Sequence, residues 1–391
     1  NALASLWFAD VIYGNTIHPV TRVMIDTLRG AFTIIPLIIA IYYAGELVWR
    51  DRERRVHEIL DSTPAPDWAF LVPKILAISV VLFATLAAST LAAIATQALK
   101  GHFDFEIDKY LAWYVLPSTV TVVLYAVLAI FTQTLVPNKV AGWMLMLIFF
   151  VSQLTLDRLG FEHNLYQYAG SPGTPLSDMN GQGDFEAYAR WFHAYWTAGA
   201  ALLAVLAYAL WRRGVGAPLK TRLARVPARM HGTAGAIAAV AAIAMAGLGG
   251  WIFYNTNVVN DYRTRLDEER LTAEYEKALI GYEKVPQPRI TDVTLDVALY
   301  PDEPRVVTRG SYVIENRTGR PLDEVHVSWL RPLEMKTLEV EGATLRKDHG
   351  DYEYRIYRFE RPLAPLEKRR ITFETLREQR GFRNSGNEQR I

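Results

Sequence analysis

The chain has 391 residues, of which 51% are hydrophobic, carries a formal net charge of +1 and contains no cysteine. A charge so close to zero argues against a nucleic-acid-binding protein, which would show a concentrated basic excess. The lack of cysteine excludes disulfides and thiolate metal sites. Residues 1–27 are mixed, aromatic and only weakly periodic, which favours an extracytoplasmic loop or surface helix.

Six apolar segments follow, each long enough to cross roughly 30 Å of hydrocarbon at about 1.5 Å per helical residue. We place these spans at 28–49, 70–99, 111–136, 140–156, 191–211 and 233–254. The sequence therefore predicts a mainly α-helical polytopic membrane protein. Several polar side chains lie at or near membrane depth: Gln97, Gln133, Gln153, Asp157, Arg158 and His193. They line a substrate path or, more simply, form interhelical hydrogen bonds.

Basic residues in the short connections indicate the orientation of the spans. On this span count, Lys100, Lys109, Arg158 and Arg190 fall on one side of the membrane. The other side, which we therefore predict to be cytoplasmic, holds eleven: Arg50, Arg52, Arg54, Arg55, Lys139, Arg212, Arg213, Lys220, Arg222, Arg225 and Arg229.

The first of these basic connections has its own pattern. Val56, Ile59 and Leu60 recur at i, i+3 and i+4, which predicts a short amphipathic helix over 51–63. Pro64 should end it, and Asp67 is placed to cap the next helix. The simpler interpretation is a basic loop that obeys the positive-inside rule.

Sequence order in this region resembles the coupling-helix region of ABC type-2 transporter permeases. An apolar span is followed by E-x(3)-R-x-R-E-R from Glu46, by EILDSTP at 58–64 and by a second span with an early lysine. The resemblance implies a helix that seats in a groove of a cytoplasmic ATPase subunit, with Glu46, Trp49 and Lys74 at the membrane edge. The ATPase-facing residues it implies are Arg52, Glu53, Arg54, Arg55, Val56, Glu58, Ile59, Leu60, Thr63 and Pro64.

The same resemblance makes predictions about the rest of the membrane part. Permease domains of this family pair with a second permease domain, as a homodimer or pseudo-dimer. The family's first span would lie upstream of Asn1, and residues 159–190 would take the place of its external or re-entrant helices. Because the chain begins without methionine, we expect it to be a piece of a longer polypeptide.

Composition becomes polar beyond the last span. Residues 255–285 place Leu271, Tyr275, Leu279 and Tyr282 on one helical face, which predicts a stalk helix. From 286 to 391 the period changes to two and turn signals recur, which predicts an all-β antiparallel sandwich of six or seven strands outside the cytoplasm. The strand-like runs are TDVTLDVALYP, VVTRGSYVIENRT, DEVHVSWL, TLEVEGA, YEYRIYRFE and KRRITFETLR.

This β region resembles the amino-terminal sandwich of aminopeptidase N-like zinc metallopeptidases, and more closely bacterial proteins in which an ABC permease is fused to such a peptidase. The residues that carry the resemblance read TDVTLDVALYP at 291–301, GSYVIENRT at 310–318 and RGFRNSG at 380–386. In such proteins the catalytic domain, with its zinc, follows the sandwich, so we expect it downstream of Ile391.

Catalytic motifs themselves are not found in the sequence. The HExxH pattern that would hold zinc is missing, and His57-Glu58, in HEILD, is more simply a surface charge pair. No GxxxxGK[ST] loop is present, so ATP and Mg²⁺ are expected on the partner ATPase. The sequon at Asn316 is interpreted as a turn, and glycines 247, 249 and 250 as helix-packing positions.

Together these patterns predict the permease subunit of an exporter-like ABC transporter in a bacterial inner membrane, carrying an extracytoplasmic peptidase-like module that handles peptides. Two alternatives stay open. The spans could anchor an aminopeptidase without transport, although an anchor needs one span and no coupling motif. ATP cycles could also transmit force to the external domain without moving solute.

Overall fold

The structure, a computed structural model, describes residues 6–7, 11–12, 15–16, 18–214 and 218–385. The chain divides into two compact units, a helical unit that ends at Val258 and a β unit from Val259 to Arg383. Most of the segment 1–27 before Thr21 lies outside the described residues, apart from Leu6, Trp7 and a strand pair, β1 (Val11–Ile12) and β2 (Asn15–Thr16).

Ten described helices build the helical unit. Two of them contain a π turn, at Leu111–Val115 and at Tyr254–Val259. The helices are α1 (Thr21–Ala31), α2 (Ile34–Glu53), α3 (His57–Ser62), α4 (Trp68–Leu99), α5 (Ile107–Leu135), α6 (Lys139–Arg158), α7 (Phe185–Ala209), α8 (Leu219–Ala224), α9 (Val226–Arg229) and α10 (Thr233–Val259).

Five described helices, α4, α5, α6, α7 and α10, are long and apolar enough to cross a membrane. The first predicted span, 28–49, falls on two helices: α1 and α2 meet at an angle of 47° and count as one span only as a bent pair. Pro36 gives the reason, because its ring clashes with the carbonyl four residues earlier, at Phe32, where the helix breaks.

Three connections meet at one end of the helical unit. Lys139, which opens α6, binds Glu53 at the end of α2 at 3.1 Å. Arg212, after α7, donates to the carbonyl of Val136 between α5 and α6. At the opposite end, Arg29 of α1 donates to the carbonyl of Thr174, in the connection between α6 and α7. The basic connections thus share one end, as the predicted alternation of spans requires.

The segment between α6 and α7, which the resemblance puts in the place of the family's external or re-entrant helices, is irregular in the structure. Its central residue, Tyr168, is 8% exposed and packs on Trp196 with ring centroids 5.0 Å apart. The Tyr168 hydroxyl donates to the carbonyl of Leu124, and the Tyr125 hydroxyl donates to the carbonyl of Tyr168. The Tyr125 hydroxyl thus gives the Tyr168 carbonyl a hydrogen-bond donor at a point where the backbone enters the bundle without regular structure.

The β unit opens with α11 (Arg265–Leu279), shorter than the predicted stalk because Thr264 and Asp267 form a capping box at its start. Seven described strands follow: β3 (Arg289–Tyr300), β4 (Arg305–Glu315), β5 (Leu322–Ser328), β6 (Glu334–Val340), β7 (Ala343–His349), β8 (Tyr354–Leu363) and β9 (Lys368–Glu378). They form two antiparallel sheets of order β3-β4-β9-β6 and β5-β8-β7.

The antiparallel β region predicted from the period of two is confirmed. Residues of both sheets, among them Ile314, Val325, Phe359 and Ile371, form one buried apolar cluster. Strand β7 is not among the runs that the sequence pattern indicates, because ATLRKDH contains too few apolar residues to show alternation.

Candidate functional site

The predicted helix 51–63 is two pieces. Helix α2 continues through Arg52 and Glu53, a turn covers residues 54–56, and α3 begins only at His57. Arg55 sits in the turn with a φ of 57°, in the left-handed region that interrupts a helix. We call residues 52–64 the coupling segment; it holds all ten predicted ATPase-facing residues.

Side chains of the coupling segment are largely exposed. Ile59 is 71% exposed and Val56 is 41% exposed. Arg54, Arg55 and Glu58 are exposed around them, whereas Leu60 is half-buried. The apolar stripe predicted from Val56 and Ile59 therefore faces away from the chain's own core and is open to a partner.

A residue from a distant part of the sequence holds the coupling segment in place. Arg213, just after α7, donates to the carbonyls of Thr63 and Ala65, the latter at 2.6 Å. The next residue, Gly214, donates its N–H to Asp61 Oδ2 at 2.8 Å. From the sequence, Arg213 is only one of the basic loop residues. The residues next to it in the sequence do not show which carbonyls it will contact.

The expected capping role of Asp67 is wrong. Asp67 occupies the position before α4 but its side chain makes no capping hydrogen bond. Its carboxylate instead pairs with Arg213 at 3.1 Å and with Arg229 at 3.2 Å. A charged partner outcompetes the backbone N–H because both partners of the ion pair carry full charge.

The three residues predicted at the membrane edge all make polar contacts there. Glu46 accepts from Lys139 Nζ at 2.8 Å. Lys74 Nζ lies 2.8 Å from Asp51 and thereby ties α4 to α2. Trp49, 8% exposed, donates from Nε1 to Gln133 Oε1 at 2.8 Å. These contacts connect the helix that leads into the coupling segment to α4, α5 and α6.

Polar groups at membrane depth mostly make hydrogen bonds within the bundle. Gln97 is fully buried; its amide donates to the carbonyl of Pro19 and accepts from the Tyr110 hydroxyl, both at 2.8 Å. Gln133 accepts from Trp49 as described. Asp157 accepts from Gln167 at 2.8 Å. For these residues the contacts favour the interpretation as interhelical and loop-anchoring bonds over a substrate path.

Glycines of the last span behave less uniformly than expected. A Cβ added at Gly249 would lie 3.1 Å from the ring of Tyr195 on α7, so this glycine does pack. Added at Gly247 or Gly250, it would meet no described atom within 4 Å. Within the described chain, Gly247 and Gly250 therefore make no close helix contact.

No group of three or more His, Cys, Asp or Glu side chains that could hold a metal ion occurs among the described residues. His57 is half-buried in the coupling segment beside an exposed Glu58. The sequon residue Asn316 is fully buried, and its amide donates to the carbonyls of Arg320 and Leu363, both at 2.7 Å. These bonds support its interpretation as a turn residue.

Comparisons with known proteins find no matching family model, no matching curated protein and no matching solved structure. What can be stated of the class is that the chain joins a helical part with candidate membrane spans to an antiparallel β unit.

Proposed function

We propose that this chain is the membrane-spanning permease subunit of an ATP-driven ABC type-2 transporter, exporter-like, that carries an extracytoplasmic aminopeptidase-like module. One observation carries the proposal. The coupling segment presents Val56 and Ile59 outward while its ends are fixed to α2 and, through Arg213, to the region after α7. An exposed apolar and basic surface, on a segment held at both ends, suits a partner that docks on it and displaces it.

The contacts suggest a path for that push. Closure of the partner ATPase would displace α3, and the displacement would reach α2 directly because Arg52 and Glu53 belong to that helix. The Arg213 bonds would carry it toward α7, and the Lys74–Asp51 pair would carry it to α4. The energy comes from ATP on the partner, and the chain contributes the lever and the helices that it tilts.

Charge reversal on the exposed side of the segment tests this role. Arg54→Glu combined with Arg55→Glu should abolish stimulation of the ATPase subunit that co-purifies with the chain, while expression and melting temperature stay unchanged. Arg225→Glu, an exposed basic residue on a nearby connection, is the matched control. Unchanged stimulation in the double variant would count against the coupling role.

A second observation supports the peptidase-like module. Val293 pairs across the sheet with Tyr312, which pairs in turn with the core residue Ile371, so Val293 lies on the core face of the four-stranded sheet. By alternation Leu295, Val297 and Leu299 share that face, yet they are 48–66% exposed. We propose that a downstream peptidase domain covers this edge strand. Amide hydrogens of 289–300 should then exchange more slowly in a polypeptide extended past Ile391 than in this chain.

A further inference from the structure

Three guanidinium groups come together where α2, α5 and α7 end. Arg52 and Arg212 line one cavity, whose other walls include Trp49, Gln133 and Trp211. Arg222 lies beside it, 6% exposed, and donates from Nη1 to the carbonyls of Thr134 at 2.7 Å and Leu210 at 2.8 Å. The Arg212 guanidinium lies 4.9 Å from the ring centroid of Trp49. We call these three residues the arginine cluster.

The arginine cluster has little compensating negative charge. Within the described residues, no carboxylate lies within 4.0 Å of Arg212 or Arg222, and Arg52 reaches one, Asp61, only at 4.0 Å. The neighbouring carboxylates are engaged elsewhere: Asp51 with Lys74, and Asp67 with Arg213 and Arg229.

Each member of the arginine cluster also keeps one buried nitrogen without a hydrogen-bond partner among the described residues, namely Arg52 Nη2, Arg212 Nε and Arg222 Nε. Burying a donor unpaired costs about 1–3 kcal/mol, and more when the group is charged. Burial, followed by the charges of Arg222 and Arg52, lowers the pKa of Arg212 to about 10, so Arg212 is still a cation at neutral pH. Three cations with unpaired donors and little negative charge nearby favour the binding of an anion.

We propose that the arginine cluster binds a phosphate oxyanion, supplied by the headgroup of an anionic phospholipid. The planar forks of arginine match phosphate oxygens in two-point contacts. The cavity itself is small, about 20 Å³, which is room for one oxygen while the rest of the phosphate stays at the mouth.

Position favours a lipid as the source of that phosphate. The cluster lies at the ends of apolar helices, and Trp49 and Trp211 at its walls are the side chains enriched at membrane interfaces. Basic pockets between spans on the cytoplasmic side are suited to anionic headgroups. Val56 and Ile59, the exposed apolar side chains of the coupling segment, do not line the cavity. Arg52 belongs to both the coupling segment and the arginine cluster, and its side chain is only 20% exposed.

The test compares melting temperatures of the full chain in nanodiscs of phosphatidylcholine alone and of phosphatidylcholine mixed with phosphatidylglycerol. We expect phosphatidylglycerol to raise the melting temperature of the wild type. Arg212→Gln should lose this rise, whereas Arg225→Gln, on an exposed residue of the same connection, should keep it. Arg212→Lys, which keeps the charge without the fork, should keep only part of the rise.

Further arms identify the source of the anion. Inorganic phosphate added to the phosphatidylcholine nanodiscs should raise the melting temperature far less than phosphatidylglycerol; an equal rise would overturn the lipid as the source. If an acidic peptide raises the melting temperature and phosphatidylglycerol does not, the arginine cluster is not a phosphate site. If Arg212→Gln does not fold, native mass spectrometry of the wild type and Arg212→Lys replaces it. No preferential retention of phosphatidylglycerol by the wild type would then overturn the proposal.

Discussion

Arg213 and Asp67 form an ion pair in which Nη1 lies 3.1 Å from Oδ1, and Arg229 reaches the second oxygen of the same carboxylate at 3.2 Å. The pair joins the start of α4 to the connection after α7, across 146 residues of sequence. Because Arg213 also holds the carbonyls of the coupling segment, this one contact sets where that segment lies against the bundle.

Asp67→Asn should therefore destabilise the helical unit by about 1–3 kcal/mol, since two half-buried arginines lose their charged acceptor. We expect a lower melting temperature in detergent micelles and weaker stimulation of a co-purified ATPase. Asp104→Asn, which changes an exposed residue between α4 and α5, serves as the control. Wild-type melting with full stimulation in Asp67→Asn would show that the ion pair does not position the segment.

Gly142→Ala tests the polar contact at the edge of the bundle. The added methyl group would lie 2.3 Å from Gln133 Cδ, so the Gln133 amide must move and give up its bond to Trp49. Overpacking of this kind costs about 1–3 kcal/mol. Gly247→Ala is the matched control, because it also lies in a span and its added Cβ meets no described atom within 4 Å. Equal melting temperatures for the two variants would contradict the tight packing around Gln133.

His163 should make stability depend on pH. Burial lowers the pKa of His163 from its ordinary 6.5 to about 4, and its Nε2 lies 3.0 Å from the Thr256 hydroxyl. The unfolded chain binds the proton first, so stability that is complete above pH 6.5 falls as the pH drops toward 4. The loss is at most about 3 kcal/mol.

Melting temperatures measured from pH 7.5 to pH 4 check this dependence. His163→Gln keeps a hydrogen-bonding group beside Thr256 but does not titrate, so its profile should be flatter than that of the wild type. His231→Gln, on an exposed residue, should keep the wild-type profile. A wild-type slope that survives in His163→Gln would assign the pH dependence to other groups.

Asn316→Ala should destabilise the β unit by about 2–4 kcal/mol. The side chain is fully buried, and its loss leaves the carbonyls of Arg320 and Leu363 without its donor and the N–H of Thr318 without its acceptor. Hydrogen exchange of β4 and β8 in the full chain measures the effect. Arg320→Ala, which truncates an exposed side chain of the same turn and leaves its backbone carbonyl in place, should change exchange little. Slow exchange retained in Asn316→Ala would mean that the turn does not depend on this amide.

Much of the architecture could be predicted from local pattern. Long apolar runs must become helices when they cross hydrocarbon, and alternating residues after Ile290 must become strands, because both patterns act over neighbouring residues. Counting the spans also predicted that the basic connections share one end of the helical unit. Single residues also set local departures from a straight helix: Pro36 bends the first span, and Arg55 in the left-handed region splits the predicted helix over 51–63.

The sequence by itself determined the long apolar helices, most of the strands, and the i, i+3 spacing of Val56 and Ile59. Only the tertiary structure decided that Asp67 pairs with Arg213 and Arg229, that Arg52, Arg212 and Arg222 meet with little negative charge, and that the apolar face of β3 stays uncovered. The physical reason is that a side chain's charge and shape are encoded locally. Its partner is set by how segments more than a hundred residues apart pack together.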